Sequence, residues 1–281
     1  MSNIKTALEG TDLVASIRIE SRHPSGRERV WIIVEGETDR RLFRKLIDGA
    51  HVEIETSPSG LRGVLDIVAT LLREMDRIIG IRDADFLHPE GKEESAGNIF
   101  VTDCHDAEMM ILSRDNAYHQ VAWEYLEEGK HASFSRERIL ASIAFIGALR
   151  WMNHTDDLKL DFDGLGLGAF YDRETLVLDE TGFLEVVMKR SGNKRKAVSR
   201  EEVESKVEDA SDLPNPCNGH DFQKVFALLA DSNAKKGVSP DEIGRAFRMA
   251  YRPRDFRTTD LYGKLIHWSD KQSRPLFSAR D

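Results

Sequence analysis

Arg29-Val-Trp-Ile-Ile-Val34, followed at once by Glu35-Gly36-Glu37-Thr38-Asp39, decides the fold class. A continuous β-branched apolar run that stops at a glycine turn reads as a parallel strand buried on both faces. Thr38 is expected to cap a helix from Asp39 to about Gly49, with Leu42, Phe43, Leu46 and Ile47 along one side. Strand, acidic turn and amphipathic helix together form the first half of a βαβ unit.

The alternation continues outward from that unit. His51–Glu55 reads as a second strand, Ser59 to about Met75 as a helix, Arg77–Ile81 as a third strand and Asn98–Thr102 as a fourth, before a helix from about Asp106 to Arg114. Upstream lie a short helix at Thr11 to about Ser21 and a polar turn at His23–Gly26. Beyond about residue 116 the texture changes. Ser135 to about Asn153 is a long amphipathic helix, 158–188 reads as a β-hairpin (Leu158–Phe162 with Thr175–Leu178) ending in a short helix, and Ser199 opens a helix through a Ser-x-x-Glu box with Glu202. Further helices are expected at about 220–231, 239–250 and 256–268. The expected architecture is α/β: a parallel sheet flanked by helices, then an α-rich C-terminal region with a small β insert. It divides into an N-terminal helix and turn (1–28), a catalytic domain (29–115) and a substrate- or partner-binding region (116–281).

Composition excludes several classes. Of 281 residues, 40% are hydrophobic and 32% charged, which is enough to bury a real core and argues against disorder. The net charge of −9 excludes a globally basic nucleic-acid coat, though not a local basic face. Cys104 and Cys217 stand far apart in no metal-knuckle spacing, so a reducing cytoplasmic setting is expected. No signal peptide and no membrane-spanning run is expected.

Ligands bind open parallel sheets beyond the carboxyl ends of the strands, and this sequence puts acids there. Glu35 follows strand one, with Asp39 four residues on; Asp83 and Asp85 end strand three; Asp103, Asp106 and Glu108 follow strand four. Asp83 and Asp85, at i and i+2 of an extended chain, are expected on one face. Singly, each such acid reads as a turn former or helix cap. Together they would repel one another, and a hard divalent cation with all-oxygen ligands, Mg²⁺ or Mn²⁺, relieves that.

Val34-Glu35-Gly36-Glu37-Thr38-Asp39, with Ile81-Arg82-Asp83-Ala84-Asp85-Phe86 downstream, resembles the Toprim domain of topoisomerases, primases and overcoming-lysogenization-defect nucleases. The segments Thr102–Glu108 and Asn218-Gly-His-Asp-Phe222 narrow the resemblance to stand-alone Toprim proteins encoded beside an ABC-type ATPase, among them the nuclease effector of the PARIS anti-phage system. The resemblance implies a two-metal phosphodiesterase. In it Glu35 binds metal or acts as general acid/base, Asp83 and Asp85 hold the cation, and Asp39 and Glu108 complete a second site. It also implies an ABC-type ATPase partner, a homodimer when active and RNA, with tRNA foremost, as substrate. A DNA-cleaving nuclease and an inactive binding subunit are the rival readings. Asp103, Asp106, His220 and Asp221 are left without a fixed role, Asp221 being as readily a helix cap and His220 a loop residue.

Substrate contact should show as local positive charge. Lys189–Arg200 holds six basic residues and no acid, with Lys189, Lys194, Arg195 and Lys196 as candidates. Arg245–Arg257 holds five arginines, including Arg252 and Arg254, interleaved with Phe247, Tyr251 and Phe256. That mixture suits phosphate contact and base stacking; the plainer reading is a solvated loop and a helix with snorkelling arginines. Gly164-Leu-Gly-Leu-Gly168 follows no βα unit and reads as a loop.

Overall fold

The structure is a computed structural model that describes residues 2–230 and 237–278. Along the chain its elements are α1 (Ser2–Arg22), β1 (Val30–Val34), α2 (Glu37–Leu46), β2 (Val52–Thr56), α3 (Gly60–Leu71), β3 (Ile78–Arg82) and β4 (Ile99–Val101). There follow α4 (Ala107–Leu112), α5 (Asp115–Tyr125), α6 (Arg136–Thr155), β5 (Tyr171–Asp172), β6 (Val177–Leu178) and α7 (Glu180–Arg190). The last are α8 (Arg200–Glu208), α9 (Gly219–Leu229), α10 (Pro240–Ala250), α11 (Pro253–Phe256) and α12 (Asp260–Gln272). The expected end of the helix at residue 231 lies outside the described residues.

The chain packs as two compact units that are not consecutive in sequence. One comprises Met1–Ala84, Glu93–Asp103 and Arg252–Asp281; the other comprises Asp85–Lys92 and Cys104–Tyr251. This is a division by packing, and it cuts across the sequence boundaries at residues 28 and 115.

The first unit is an α/β layer structure. Its four parallel strands run in the order β2-β1-β3-β4, with Ile32 beside Ile54 on one side and Ile79 on the other. All five β1 residues are at most 2% exposed, and burial of each Val or Ile contributes roughly 1.5–3 kcal/mol. Side chains alternate across the pleat, so Trp31 and Ile33 join Ile78 and Ile99 in a core with Val14 and Ile17 of α1 and Val64, Ile67, Val68 and Leu71 of α3. Helix α2 packs against β1 and β2, burying Leu42, Phe43 and Leu46. Phe43 meets Phe256 of α11 edge-on with ring centres 6.2 Å apart, and α12 lies against β4. Helices therefore cover the sheet as the alternating pattern requires.

The second unit is helical. Helix α6 carries eleven buried residues and packs against α8 and α9, while α10 packs against α4, α5 and α9. Tyr118, Phe222, Phe226 and Phe247 form an aromatic cluster with ring centres 5.4 to 6.4 Å apart. The small β insert is there, but it pairs β5 with β6 antiparallel. Leu158–Phe162 joins no ladder. Its Leu158 and Leu160 are buried as the alternation suggests, yet side chains serve its backbone: Leu160 N–H donates to Asn153 Oδ1 and Asp161 N–H to Ser191 Oγ, both at 2.8 Å.

Among the described residues, no helix is long and apolar enough to cross a membrane.

Candidate metal centre

In the first unit the strand order changes direction between β1 and β3, the switch point at which open α/β sheets bind ligands. Glu35 leaves β1 there and Asp83 leaves β3. The backbone N–H of Asp83 donates to Glu35 Oε1 at 3.0 Å, which ties the two strand ends together and fixes the carboxylate. Gly60 begins α3 beside them with φ +58°, and a Cβ added to it would stand 3.9 Å from Glu35 Oε2. Asp39 sits in the first turn of α2. Its Oδ2 accepts the Gly36 N–H at 2.9 Å, so α2 starts at Glu37 with Gly36 as its cap and not, as expected, at Asp39 behind Thr38. Glu35, Asp39 and Asp83 are all half-buried. Asp39 thus combines a capping duty with its place near the sheet edge, and a carboxylate in a first turn is favoured by the helix dipole.

Asp103, the acid after β4, is a helix cap. Its two oxygens accept the N–H groups of Asp260 and Leu261 at 2.8 Å each, where α12 begins. Of the basic candidates in this unit, Arg252 and Arg254 are both exposed; the Arg252 backbone N–H donates to Asp255 Oδ2 at 2.8 Å, and the Arg254 side chain lies 3.9 Å from Asp255.

Asp85 belongs to the second unit. It has φ +49°, in the left-handed region that Asp tolerates better than most residues, and β3 has already ended at Arg82. The chain is not extended from Asp83 to Asp85, so the expectation that spacing alone puts both on one face does not hold. The Asp85 N–H donates to the His105 carbonyl at 2.8 Å. His105 is buried, with Nδ1 3.0 Å from the Asn215 carbonyl, an arrangement that makes Nδ1 the protonated nitrogen. Burial pushes its pKa below the ordinary imidazole range, against the opposing pull of Asp85.

The same unit assembles a three-residue group from distant sequence. Asp106, Glu108 and His220 each offer one ligand atom, and the three atoms lie within 4.8 Å of one another. Asp106 caps α4, accepting Met109 N–H at 2.7 Å on Oδ1 and Gly219 N–H at 2.8 Å on Oδ2. The approach of α9 to α4 requires glycine at 219: a Cβ there would come within 2.3 Å of Glu108 Cβ and 2.7 Å of Asp106 Oδ1. Glu108 is 5% exposed, with Arg248 Nη1 3.9 Å from its Oε1, while His220 is exposed. Two carboxylates and an imidazole suit Mn²⁺, Fe²⁺ or Zn²⁺ better than the all-oxygen Mg²⁺ site that spacing suggests. The expected metal residue Glu108 is therefore joined by Asp106 and His220, whose contribution is not readable from local sequence. The one local sign is glycine between a helix cap and His220.

Asp221 does not cap α9. Asn218 does, its Oδ1 accepting the N–H groups of His220 and Asp221 at 2.9 and 3.3 Å. Asp221 is 2% exposed and receives Arg150 at 2.7 and 3.3 Å and Lys224 at 3.0 Å. Burial alone would raise its pKa, but the two cations outweigh burial and hold the carboxyl below its usual range. Two cationic partners leave it little capacity for a metal.

The basic stretch at 189–200 is partly neutralised. Arg195 pairs with Asp157, and Lys196 lies 3.4 Å from Asp156 and 3.7 Å from Glu202. Lys194 reaches the Ser191 carbonyl at 3.4 Å, and Lys189 is exposed. In the 245–257 stretch Phe247, Tyr251 and Phe256 are at most 1% exposed. They are core residues and cannot stack on bases; of that stretch Arg245, Arg252, Arg254 and Arg257 are exposed, as the plainer reading holds, together with Met249.

No protein-family model matches this chain, and no curated protein matches its sequence.

Proposed function

We propose that the protein is a Toprim-type, divalent-metal-dependent nuclease that hydrolyses phosphodiester bonds in RNA. The observation that carries this reading is the tie between Glu35 and the Asp83 backbone at the β1/β3 switch point, 3.0 Å long, which presents acids from two adjacent parallel strands at the sheet's carboxyl edge. The strand order β2-β1-β3-β4 and the resemblance of the two acidic segments support the same assignment.

Glu35, Asp39 and Asp83 would hold one cation, and Asp106, Glu108 and His220 supply the donors for another. A cation so bound would polarise the scissile phosphate and lower the pKa of a bound water towards neutrality. The chain's own residues do the rest. The Asp83 N–H holds Glu35 in one orientation, so that its carboxylate is positioned either as ligand or to accept a proton. Backbone N–H donors hold the carboxylates of Asp39 and Asp106 in place. By the same resemblance the enzyme works in the cytoplasm as an anti-phage effector, is restrained by an ABC-type ATPase and acts as a homodimer.

The test is cleavage of labelled tRNA and of single-stranded DNA by the purified chain. Cutting of RNA with Mn²⁺ or Mg²⁺, its absence in chelator, and a loss of roughly 100-fold or more in Glu35→Gln and Asp83→Asn are expected, since outer-shell changes alone cost 10–100-fold. DNA cut in preference to RNA would reassign the substrate. Undiminished cutting in chelator would overturn the metal-dependent reading.

A further inference from the structure

A groove of about 560 Å³ runs along α12 in the first unit, with Asn98 and Phe100 on one side and Asp260, Gly263, Lys264, His267, Trp268 and Lys271 on the other. Its volume is in the range of built ligand sites. The pleat explains its wall: Ile99 and Val101 of the edge strand β4 turn inward and are buried, so Phe100 turns to the opposite face, towards α12. Trp268, 6% exposed, completes the apolar floor. Lys264, His267 and Lys271 stand at i, i+3 and i+7, one face of the helix, and reach over about 10 Å of it. All three are exposed. The ion pairs that occupy so many other basic side chains of this chain do not include them. The one acid in the lining is Asp260, at the end of the groove where Asp103 caps the helix.

A ridge of two lysines and a histidine in no ion pair among the described residues, over an aromatic floor, is unusual on a chain of net charge −9. It complements a ligand that is anionic and flat at once. A nucleoside phosphate has that chemistry: phosphate for the lysines, base or sugar face for Phe100. Gly263 supports a binding role independently. A Cβ added to it would meet nothing within 4 Å, so in mid-helix, where glycine costs stability, the chain leaves the groove unfilled.

We infer that the groove between β4 and α12 binds a segment of single-stranded nucleic acid, Lys264 and Lys271 holding its phosphates. The choice of a strand over a free nucleotide rests on the nuclease reading above; the groove's chemistry does not.

The probe is a fluorescein-labelled oligouridylate of about twelve nucleotides, within the span of known single-strand sites, bound to the full chain in chelator and followed by anisotropy over a salt series. Lys264→Gln with Lys271→Gln should weaken binding roughly tenfold and flatten the log-log salt slope by roughly 1.4, two phosphate contacts at about 0.7 each. Gly263→Leu should weaken binding comparably with every charge in place, and should melt no lower than wild type. Binding is measured in chelator, where metal-dependent cutting does not occur, which separates the groove from the cutting reaction. Unchanged affinity in the lysine variant would overturn the inference. So would full affinity in Gly263→Leu, because the charges would then act without the groove, or binding of uridine monophosphate without binding of the oligonucleotide.

Discussion

The acids at the carboxyl edge of the sheet and the acid buried at the start of α9 are satisfied by different kinds of group. Glu35 accepts the N–H of Asp83, Asp39 that of Gly36, and Asp103 those of Asp260 and Leu261. Asp221 instead accepts Arg150 and Lys224. Backbone dipoles fix a carboxylate and leave its formal charge in place; side-chain cations cancel it. Asp103 is thereby fixed as a helix cap, and Asp221 is a structural ion pair. Asp106 and Asp221, both buried in one unit, repeat the contrast within a single helix junction. Asp106 is held by the N–H groups of Met109 and Gly219 and stands with Glu108 and His220, while Asp221, in the same first turn of α9 as Gly219, has its two cations.

The largest effect expected from this contrast is on stability. Asp221→Ala should destabilise the fold by about 3 kcal/mol, because it strands a largely buried guanidinium; denaturant titration measures this, and a loss below about 1 kcal/mol would put Asp221 among the acids with a ligand role. Asp103→Ala should cost about 1 kcal/mol, as loss of a helix cap does, with metal dependence of cutting unchanged. If metal dependence shifts, Asp103 belongs to the centre as well as to α12.

A subtler effect is pH dependence. His105 and Asp221 both have folded pKa values below their unfolded ones. Each therefore contributes stability that is fully present above its unfolded pKa, about 6.5 and 3.9 respectively, and is lost as pH falls through the folded value. Acidification should weaken the fold first through His105 and then, below about pH 4, through Asp221. Melting temperatures of His105→Gln and Asp221→Asn across pH 3–8 check this: each variant should lack its own stage.

Much of the first unit was legible because its physics is local. The strands β1 and β3 are continuous apolar runs ended by acids, as burial on both faces demands, and the Ser199/Glu202 box marks α8 at the residue where it starts, with Ser199 N–H donating to Glu202 at 2.7 Å. The second unit was less legible. Helix α5 carries no expectation, since its buried side are Ala117, Tyr118, Val121 and Ala122 among polar residues, a weak stripe. Leu158–Phe162 alternates like a strand, yet Asn153 and Ser191 take the place of a ladder partner. For the site, Glu35, Asp39 and Asp83 could be read from their positions after strands. The convergence of His220 on Asp106 and Glu108 could not, because it depends on the contact between the starts of α4 and α9 that Gly219 permits. The aromatic residues at 247, 251 and 256 misled for a related reason: alternation with arginine looks the same whether the rings face a base or the core.

The central claim is that Glu35, Asp39 and Asp83 supply donors for one divalent cation and Asp106, Glu108 and His220 for another, and that Asp221 supplies none. Calorimetric titration of Mn²⁺ into the chelator-stripped chain tests it most directly, with Glu35→Gln, Asp83→Asn, Asp106→Asn, His220→Ala and Asp221→Asn alongside wild type. Wild type should bind Mn²⁺ saturably. The first four variants should each lose affinity by roughly tenfold or more, and Asp221→Asn should bind as wild type wherever it remains folded. Equal Mn²⁺ affinity in wild type, Glu35→Gln and Asp106→Asn, or loss of binding in folded Asp221→Asn alone, would contradict the account.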